Sequence, residues 1–193
     1  MANHGIALVT GAARRIGRVI ALSLARHGWD VAVHYRFSES EAMATAEDIR
    51  KLGRRSVALH CDLTDEEAVN RLLQRVEDSL GRPSCLVNNA SVFEHDSVTD
   101  FSAHSLDFHM RTNLTAPVLL SRALHTMTPE GSQSVVVNLL DQKLDNLNPS
   151  FLSYTLSKAA LNTATTLLAQ ELAPKLRVVG IAPGITLVSG EQT

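Results

Sequence analysis

Short apolar runs alternate with longer amphipathic ones along the chain. Residues 6–9 predict a strand, and residues 16–27 a helix with Ile16, Val19, Ile20 and Leu24 on one face. Residues 31–34 predict a second strand. A helix over 38–52 follows and stops at Gly53, a residue that tolerates the left-handed conformation of a helix end. Residues 57–60 predict a third strand. Thr64 then opens a helix, with Glu67 three positions on to close a capping box. Strands at 85–87, 134–140 and 176–181 complete the set. Between them lie a long helical region over 105–125 and a helix over 154–172.

This is a repeated βα unit with nearly continuous apolar strands. Strands covered on both faces have this character, which predicts a parallel sheet between helices. Right-handed crossovers make the sheet doubly wound, a Rossmann-type α/β fold. One domain over 1–193 is the simplest organisation. After the sixth strand come Ala182, Pro183, Gly184 and a short tail without the pattern of a closing helix or strand, so a C-terminally incomplete domain is expected.

Composition narrows the function. Hydrophobic residues make up 45% and charged residues 20%, with a net charge of −2. No basic stretch is long enough to track a phosphate backbone, so no nucleic-acid partner is expected. No apolar run approaches the roughly 20 residues that span a bilayer, and the start lacks the features of a signal peptide. Cys61 and Cys85 lie in or beside apolar strands and read as buried thiols, which suits a reducing cytoplasm. His95 and His109 fall near the expected cleft without metal-ligand spacing, so no metal site is expected.

The turn from Thr10 to Gly17 joins the first strand to the first helix. Glycines there let backbone approach a pyrophosphate, and the helix N-terminus presents N–H groups to the anion. An acidic residue at the end of the second strand would favour NAD. Tyr35, Arg36, Phe37 and Ser38 stand there instead, and Arg14 can reach the same region. A cation and a hydroxyl suit a 2′-phosphate, which favours NADP(H). Asp30 sits at the wrong end of the strand. Asp62, followed by Leu63, either accepts from the adenine amino group or serves the nearby helix cap. Asn88, Asn89, Ala90 and Ser91 follow the fourth strand, where they pack against the ribose or pair strands. Tyr154 and Lys158, four apart, share one helical face. A cation one turn away would lower the phenol's pKa and make it a proton donor for hydride transfer to C=O or C=N.

The T-G-x-x-x-x-x-G turn, the N-N-A segment, Asn113, Y-x-x-x-K and the P-G after the sixth strand together resemble the short-chain dehydrogenase/reductase family, over about 6–186. The resemblance implies Tyr154 as proton donor, Lys158 lowering its pKa and holding the nicotinamide ribose, and Asn113 ordering a water in the relay. Cofactor contacts are implied for Gly11, Arg14, Arg15, Ile16, Gly17, Tyr35, Arg36, Ser38, Asp62, Leu63, Asn89, Ala90, Ser91, Tyr154, Lys158, Pro183, Gly184 and Thr186.

Two departures from the wider family stand out. Arg15 replaces a usual glycine, and Asp141 stands where most members have a catalytic serine. Both features, with Asn88 to Phe93 and the His34-Tyr35 segment, are similar to the pteridine reductase and dihydromonapterin reductase branch. That branch implies a pterin stacked on Phe93, hydrogen-bonded by Ser91 and approached by Arg15, with Asp141 and Tyr154 handling protons at the reduced C=N bond. Phe37 stands where the branch would have a basic residue. The expected function is an NADPH-dependent pteridine reductase, cytoplasmic and a homo-oligomer, tetrameric by family analogy. The alternatives are a carbonyl reductase of the same family and a non-catalytic NADP-binding protein.

Overall fold

A computed structural model describes residues 4–184. Strands β1 Gly5–Val9, β2 Trp29–Tyr35, β3 Ser56–His60, β4 Cys85–Asn88, β5 Ser134–Leu139 and β6 Leu176–Ile181 form one sheet in the order β3-β2-β1-β4-β5-β6. Every pairing is parallel. Parallel neighbours need long crossovers. The main ones are α1 Arg15–Arg26, α2 Glu39–Lys51, α3 Glu66–Leu80, α5 Ala116–Met127 and α6 Leu152–Glu171, with a shorter α4 Ala103–Met110 before α5. The winding reverses between β1 and β4. A crevice opens there at the carboxyl ends of the strands.

Side chains alternate across the sheet and build two cores. Ala7, Val9, Val31 and Val33 face an alanine-rich layer containing Ala21, Ala25, Ala42, Ala46 and Ile49. Leu8, Leu86, Val136 and Val178 face a bulkier layer containing Leu72, Leu73, Val76, Leu120 and Leu124. Each fully buried Leu or Val contributes about 1.5–3 kcal/mol.

The alanine layer corrects the expected face of α1. Its buried residues are Gly17, Ala21, Leu22 and Ala25, and Val19 is 56% exposed. Small side chains bring the helix close to the sheet, and Ile20 and Leu24 pack only at the flank of that core.

The expected cap of α3 is also displaced. Asp65, not Thr64, caps the helix, accepting from the N–H groups of Glu67 (2.9 Å) and Ala68 (3.2 Å). Thr64 instead donates its N–H and hydroxyl to Asp62 Oδ1, at 2.9 and 2.8 Å. The long helical region is broken as well. A π-helical turn, Arg111–Thr115, separates α4 from α5. Pro117 lacks the N–H that would continue the ladder, and the widened turn absorbs that loss.

Asp30 is buried and held by Arg54 (2.7 Å) and Arg55 (2.8 Å), away from the crevice. Cys61 and Cys85 are buried. Burial pushes their thiols up to about 11 and about 12, so both stay protonated and unreactive. Among the described residues no helix is long and apolar enough to cross a membrane. No cluster of three or more His, Cys, Asp or Glu that could hold a metal ion occurs among them.

Candidate active site

The turn after β1 is shaped by contacts from three strands. Thr10 Oγ1 accepts from the N–H groups of Asn89 and Ala90, both at 3.0 Å. Asn89 Nδ2 donates to the carbonyls of Thr10 (2.9 Å) and Gly11 (3.2 Å). Gly11 adopts φ +62, and a Cβ there would meet Ala90 Cα at 2.9 Å. At Gly17 a Cβ would stand 2.2 Å from the Gly11 carbonyl oxygen. Only glycine lets helix and turn approach this closely.

His34 completes the cradle. Its Nδ1 accepts from Gly11 N–H at 3.0 Å, and its Nε2 faces the Cys61 carbonyl at 3.0 Å. Burial drives its pKa down to about 4. The ring is therefore neutral near pH 7, with its proton on Nε2 donating to Cys61. This role was not read from the sequence, because a histidine closing an apolar strand has no distinctive spacing.

A cleft of about 440 Å³ opens beside this turn. Its walls include the expected Gly11, Arg14, Arg15, Ile16, Gly17, Tyr35, Arg36, Ser38, Asp62, Leu63, Asn89, Ala90 and Ser91. Val92, Phe37 and Thr112 join them. Arg15 adopts φ +52, an uncommon backbone state for a side-chain-bearing residue, right at the start of α1. Arg14 lies 3.9 Å from Glu41 and both are largely exposed. Arg36 donates from Nε (3.0 Å) and Nη2 (2.8 Å) to Asp62, and its guanidinium lies 4.5 Å from the Phe37 ring centroid. Phe37 thus supports the cation by a cation–π contact where the pteridine reductase resemblance implies a basic residue. Burial would raise the Asp62 pKa, but Thr64 and Arg36 outweigh it and hold the carboxyl below its usual range.

The two asparagines at the end of β4 divide their work. Asn88 Nδ2 donates to Asn138 Oδ1 (2.8 Å), and Asn138 Nδ2 donates to Thr165 Oγ1 (2.9 Å). That chain ties β4 to β5 and α6, so Asn88 is a strand-pairing residue. Asn89 fastens the turn.

A second group of residues gathers past Ser91. Tyr154 and Lys158 on α6 are buried, at 5% and 3% exposure. The Tyr154 hydroxyl donates to Asp141 Oδ2. Asp141 Oδ1 accepts from Lys143 N–H at 2.7 Å, which starts a short 3₁₀ turn, Gln142–Asp145. Lys158 Nζ donates to the Leu139 carbonyl at 2.7 Å and lies 5.7 Å from the Tyr154 ring centroid. The Phe93 ring meets Tyr154 edge-on at 4.7 Å and stacks on Phe151 at 4.2 Å, with planes 8° apart. Phe151, at φ +60, went unread in the sequence, since helix boundaries are its least legible feature.

The expected tuning of Tyr154 is corrected here. Its pKa is raised, first by burial and then by the hydrogen bond and charge of Asp141. Lys158 is lowered to about 8 by burial, with Asp141 acting against that. Of the two charged neighbours it is the carboxylate that touches the hydroxyl and adds to the effect of burial, whereas the ammonium is bonded to a backbone carbonyl.

Asn113 sits in the π-helical turn. Its Nδ2 donates to the Val92 carbonyl and to Ser157 Oγ, both at 3.0 Å, and its Oδ1 accepts from Val92 N–H at 2.8 Å. The side chain fastens the loop after β4 to α6. Ser91 is exposed, with its hydroxyl 3.3 Å from the Val92 carbonyl. The Pro183 carbonyl accepts from Gln142 N–H at 3.4 Å, which places the end of β6 beside the Asp141 turn. Gly184 is exposed there, and Thr186 lies outside the described residues.

A family model described as short chain dehydrogenase matches residues 5–192. An uncharacterized oxidoreductase of Methylorubrum extorquens is 31% identical over 189 residues, covering 97% of this chain and 75% of its own length. The 3-oxoacyl-[acyl-carrier-protein] reductase FabG of Staphylococcus epidermidis is 32% identical over 182 residues, covering 92% and 73%. The crystal structure of FolM alternative dihydrofolate reductase 1 from Brucella canis, complexed with NADP, superposes with a TM-score of 0.95. It is 42% identical and covers 100% of this chain and 76% of that one. The chain thus spans about three quarters of the length of these proteins.

Proposed function

Because the chain belongs to the short-chain dehydrogenase family, we propose that it is an NADPH-dependent reductase acting on a pteridine of the dihydropterin or dihydrofolate type. The observation that carries this reading is the contact between the half-buried Asp141 and the Tyr154 hydroxyl, flanked by the Phe93 ring. The similarity to a dihydrofolate reductase crystallised with NADP supports it.

The cleft fits a dinucleotide. The glycine positions Gly11 and Gly17 leave room where any Cβ would clash, and the start of α1 presents free N–H groups to a pyrophosphate. Arg14, Arg15, Arg36 and Ser38 would hold a 2′-phosphate, Asp62 and Leu63 the adenine, Asn89, Ala90 and Ser91 the backbone of the cofactor, and Lys158 the nicotinamide ribose. Ile16, Tyr35, Pro183 and Gly184 would complete the walls. The bound cofactor supplies hydride.

The protein's own part is to present a flat acceptor and move a proton. Phe93 offers a ring face for stacking, a geometry aromatic systems favour when offset. Asp141 accepts from ring N–H and amino groups, which a serine hydroxyl does less well. When a C=N bond gains hydride at carbon, its nitrogen takes a proton, and the Tyr154–Asp141 pair holds one at the right place. Asn113 keeps that pair aligned with the loop bearing Ser91 and Phe93, and belongs to the relay through this position.

NADPH oxidation by the purified protein should be supported by a dihydropterin. In Asp141→Ser that turnover should fall by at least about 100-fold, the scale of a lost proton-handling group, while a simple diketone is unaffected or improved. Absence of pterin turnover by protein that still binds NADPH would sink the substrate assignment and favour a carbonyl substrate, as in the acyl-carrier-protein reductases.

Lys158 gives a second expectation. Its ammonium is charged below about pH 8 and neutral above, whereas an unburied lysine would hold its proton to about 10.4. NADPH affinity should therefore weaken about tenfold as pH rises through 8, the scale of one hydrogen bond to a charged group. Fluorescence titration of NADPH should show that limb in the native protein and a flat, weaker profile in Lys158→Met.

A further inference from the structure

The helix that carries Tyr154 has no cap of its own. Its N-cap position is Phe151, whose side chain makes no capping bond and whose backbone is left-handed at φ +60. Two N–H groups of the first turn are taken instead by one residue far away in sequence. Asp96 Oδ1 accepts from Ser153 N–H at 3.0 Å, and the Asp96 carbonyl accepts from Leu152 N–H at 3.2 Å. These are the two residues that follow Phe151. Asp96 Oδ2 accepts from Ser105 Oγ of α4 at 3.3 Å. The carboxylate is 5% exposed.

Asp96 also ends the segment that bears Phe93. Two residues before it, Glu94 N–H donates to His109 Nε2 at 3.3 Å, and His109 Nδ1 faces the Ser105 carbonyl at 2.8 Å. The segment is therefore pinned to α4 at Glu94 and to both α4 and α6 at Asp96. An uncommon backbone state such as that of Phe151 persists only where its surroundings over-determine it. Here the residues on its C-terminal side are both gripped by Asp96, and its ring is gripped by Phe93.

We propose that Asp96 is a positioning residue: by capping α6 from the loop after β4, it fixes Tyr154 and the stacked Phe93–Phe151 pair relative to one another. Its hydrogen bonds go to Leu152, Ser153 and Ser105 rather than to either ring. It acts by holding the backbone on which one sits and the loop on which the other sits. Burial would raise the Asp96 pKa, yet hydrogen bonds from Ser153 and Ser105 hold it below the usual carboxylate range, so the cap is charged at neutral pH. The kinetic consequence rests on the assignment of Tyr154 and Phe93 given above, but the structural coupling does not.

The chain has two tyrosines, Tyr154 in the chemical site and Tyr35 in the cofactor cleft. Labelled with 3-fluorotyrosine, it should give two ¹⁹F resonances, assigned with Tyr35→Phe and Tyr154→Phe. Asp96→Ala should shift and broaden the Tyr154 line and leave the Tyr35 line in place. Asp96→Asn keeps an acceptor for Ser153 N–H and should perturb the line less. Asp65→Ala, which removes the cap of α3, should move neither. With whichever of a dihydropterin or a diketone the native protein reduces, Asp96→Ala should lower kcat by about 10- to 100-fold, the scale of a displaced catalytic group. The dissociation constant for NADPH should stay within about twofold, and Asp96→Asn should recover most of the rate. If Asp96→Ala fails to fold, Asp96→Asn and Asp96→Glu carry the same comparison. An unmoved Tyr154 line, or equal movement in Asp65→Ala, would overturn the proposal. Failure to reduce pterin would count against the substrate assignment and leave the resonance test standing.

Discussion

Tyr154→Phe is expected to lower NADPH-dependent reduction by about 10²- to 10⁴-fold while NADPH still binds, because it removes one oxygen and nothing else from a packed site. The ring would remain edge-on to Phe93 and above Lys158. The hydroxyl's partner, Asp141, would lose the proton that Tyr154 donates to it. A double variant, Tyr154→Phe with Asp141→Asn, should lose little beyond the single one, since the two groups act as a pair. Single-turnover measurement of NADPH absorbance checks both. Full activity in Tyr154→Phe would move the proton-donor role away from this residue.

The second large effect is expected at Gly17. An alanine Cβ would stand 2.2 Å from the Gly11 carbonyl oxygen and 2.5 Å from Asn89 Nδ2. Neither is the end of a flexible chain, since Asn89 is fixed by its bonds to Thr10 and Gly11. The start of α1 must move away from the turn, in a layer already packed by small residues. Overpacking of this kind costs about 1–3 kcal/mol. Gly17→Ala should melt several degrees lower and bind NADPH about 10- to 100-fold more weakly, since the N–H groups that face the anion move with the helix. Calorimetry and NADPH titration check both. Unchanged affinity would mean that α1 can shift without altering its N-terminus.

The sequence made the sheet, the glycine turn and the Tyr154–Lys158 pair legible because each is a local pattern. Strand alternation needs a few neighbours, and a four-residue spacing fixes a helix face. What it hid depends on distant partners. Arg36 reads locally as a phosphate ligand and Asp62 as an adenine acceptor or a cap, but nothing local shows that they bond to one another. For Asn113 the family resemblance implies a water in the relay, and no local pattern shows that its amide also engages Val92 and Ser157. His34 and Phe151 act through residues 23 to 58 positions away, Gly11 and Phe93. The sense of the Tyr154 shift was missed for the same reason, since only the folded chain decides which charge touches the hydroxyl.

The two faces of the sheet differ in how much change they can absorb. On one side, alanines separate α1 and α2 from the strands, and adding a methylene there pushes a helix off the sheet and drags the anion-facing turn with it. On the other, leucines and valines from α3 and α5 fill a deeper layer in which one branched side chain can replace another at small cost. Divergence among descendants of this chain should therefore be lopsided. Core substitutions should accumulate behind β1 and β4 on the leucine side and stay rare on the alanine side. A library randomised equally over both layers, selected only for NADPH binding, would expose that asymmetry directly.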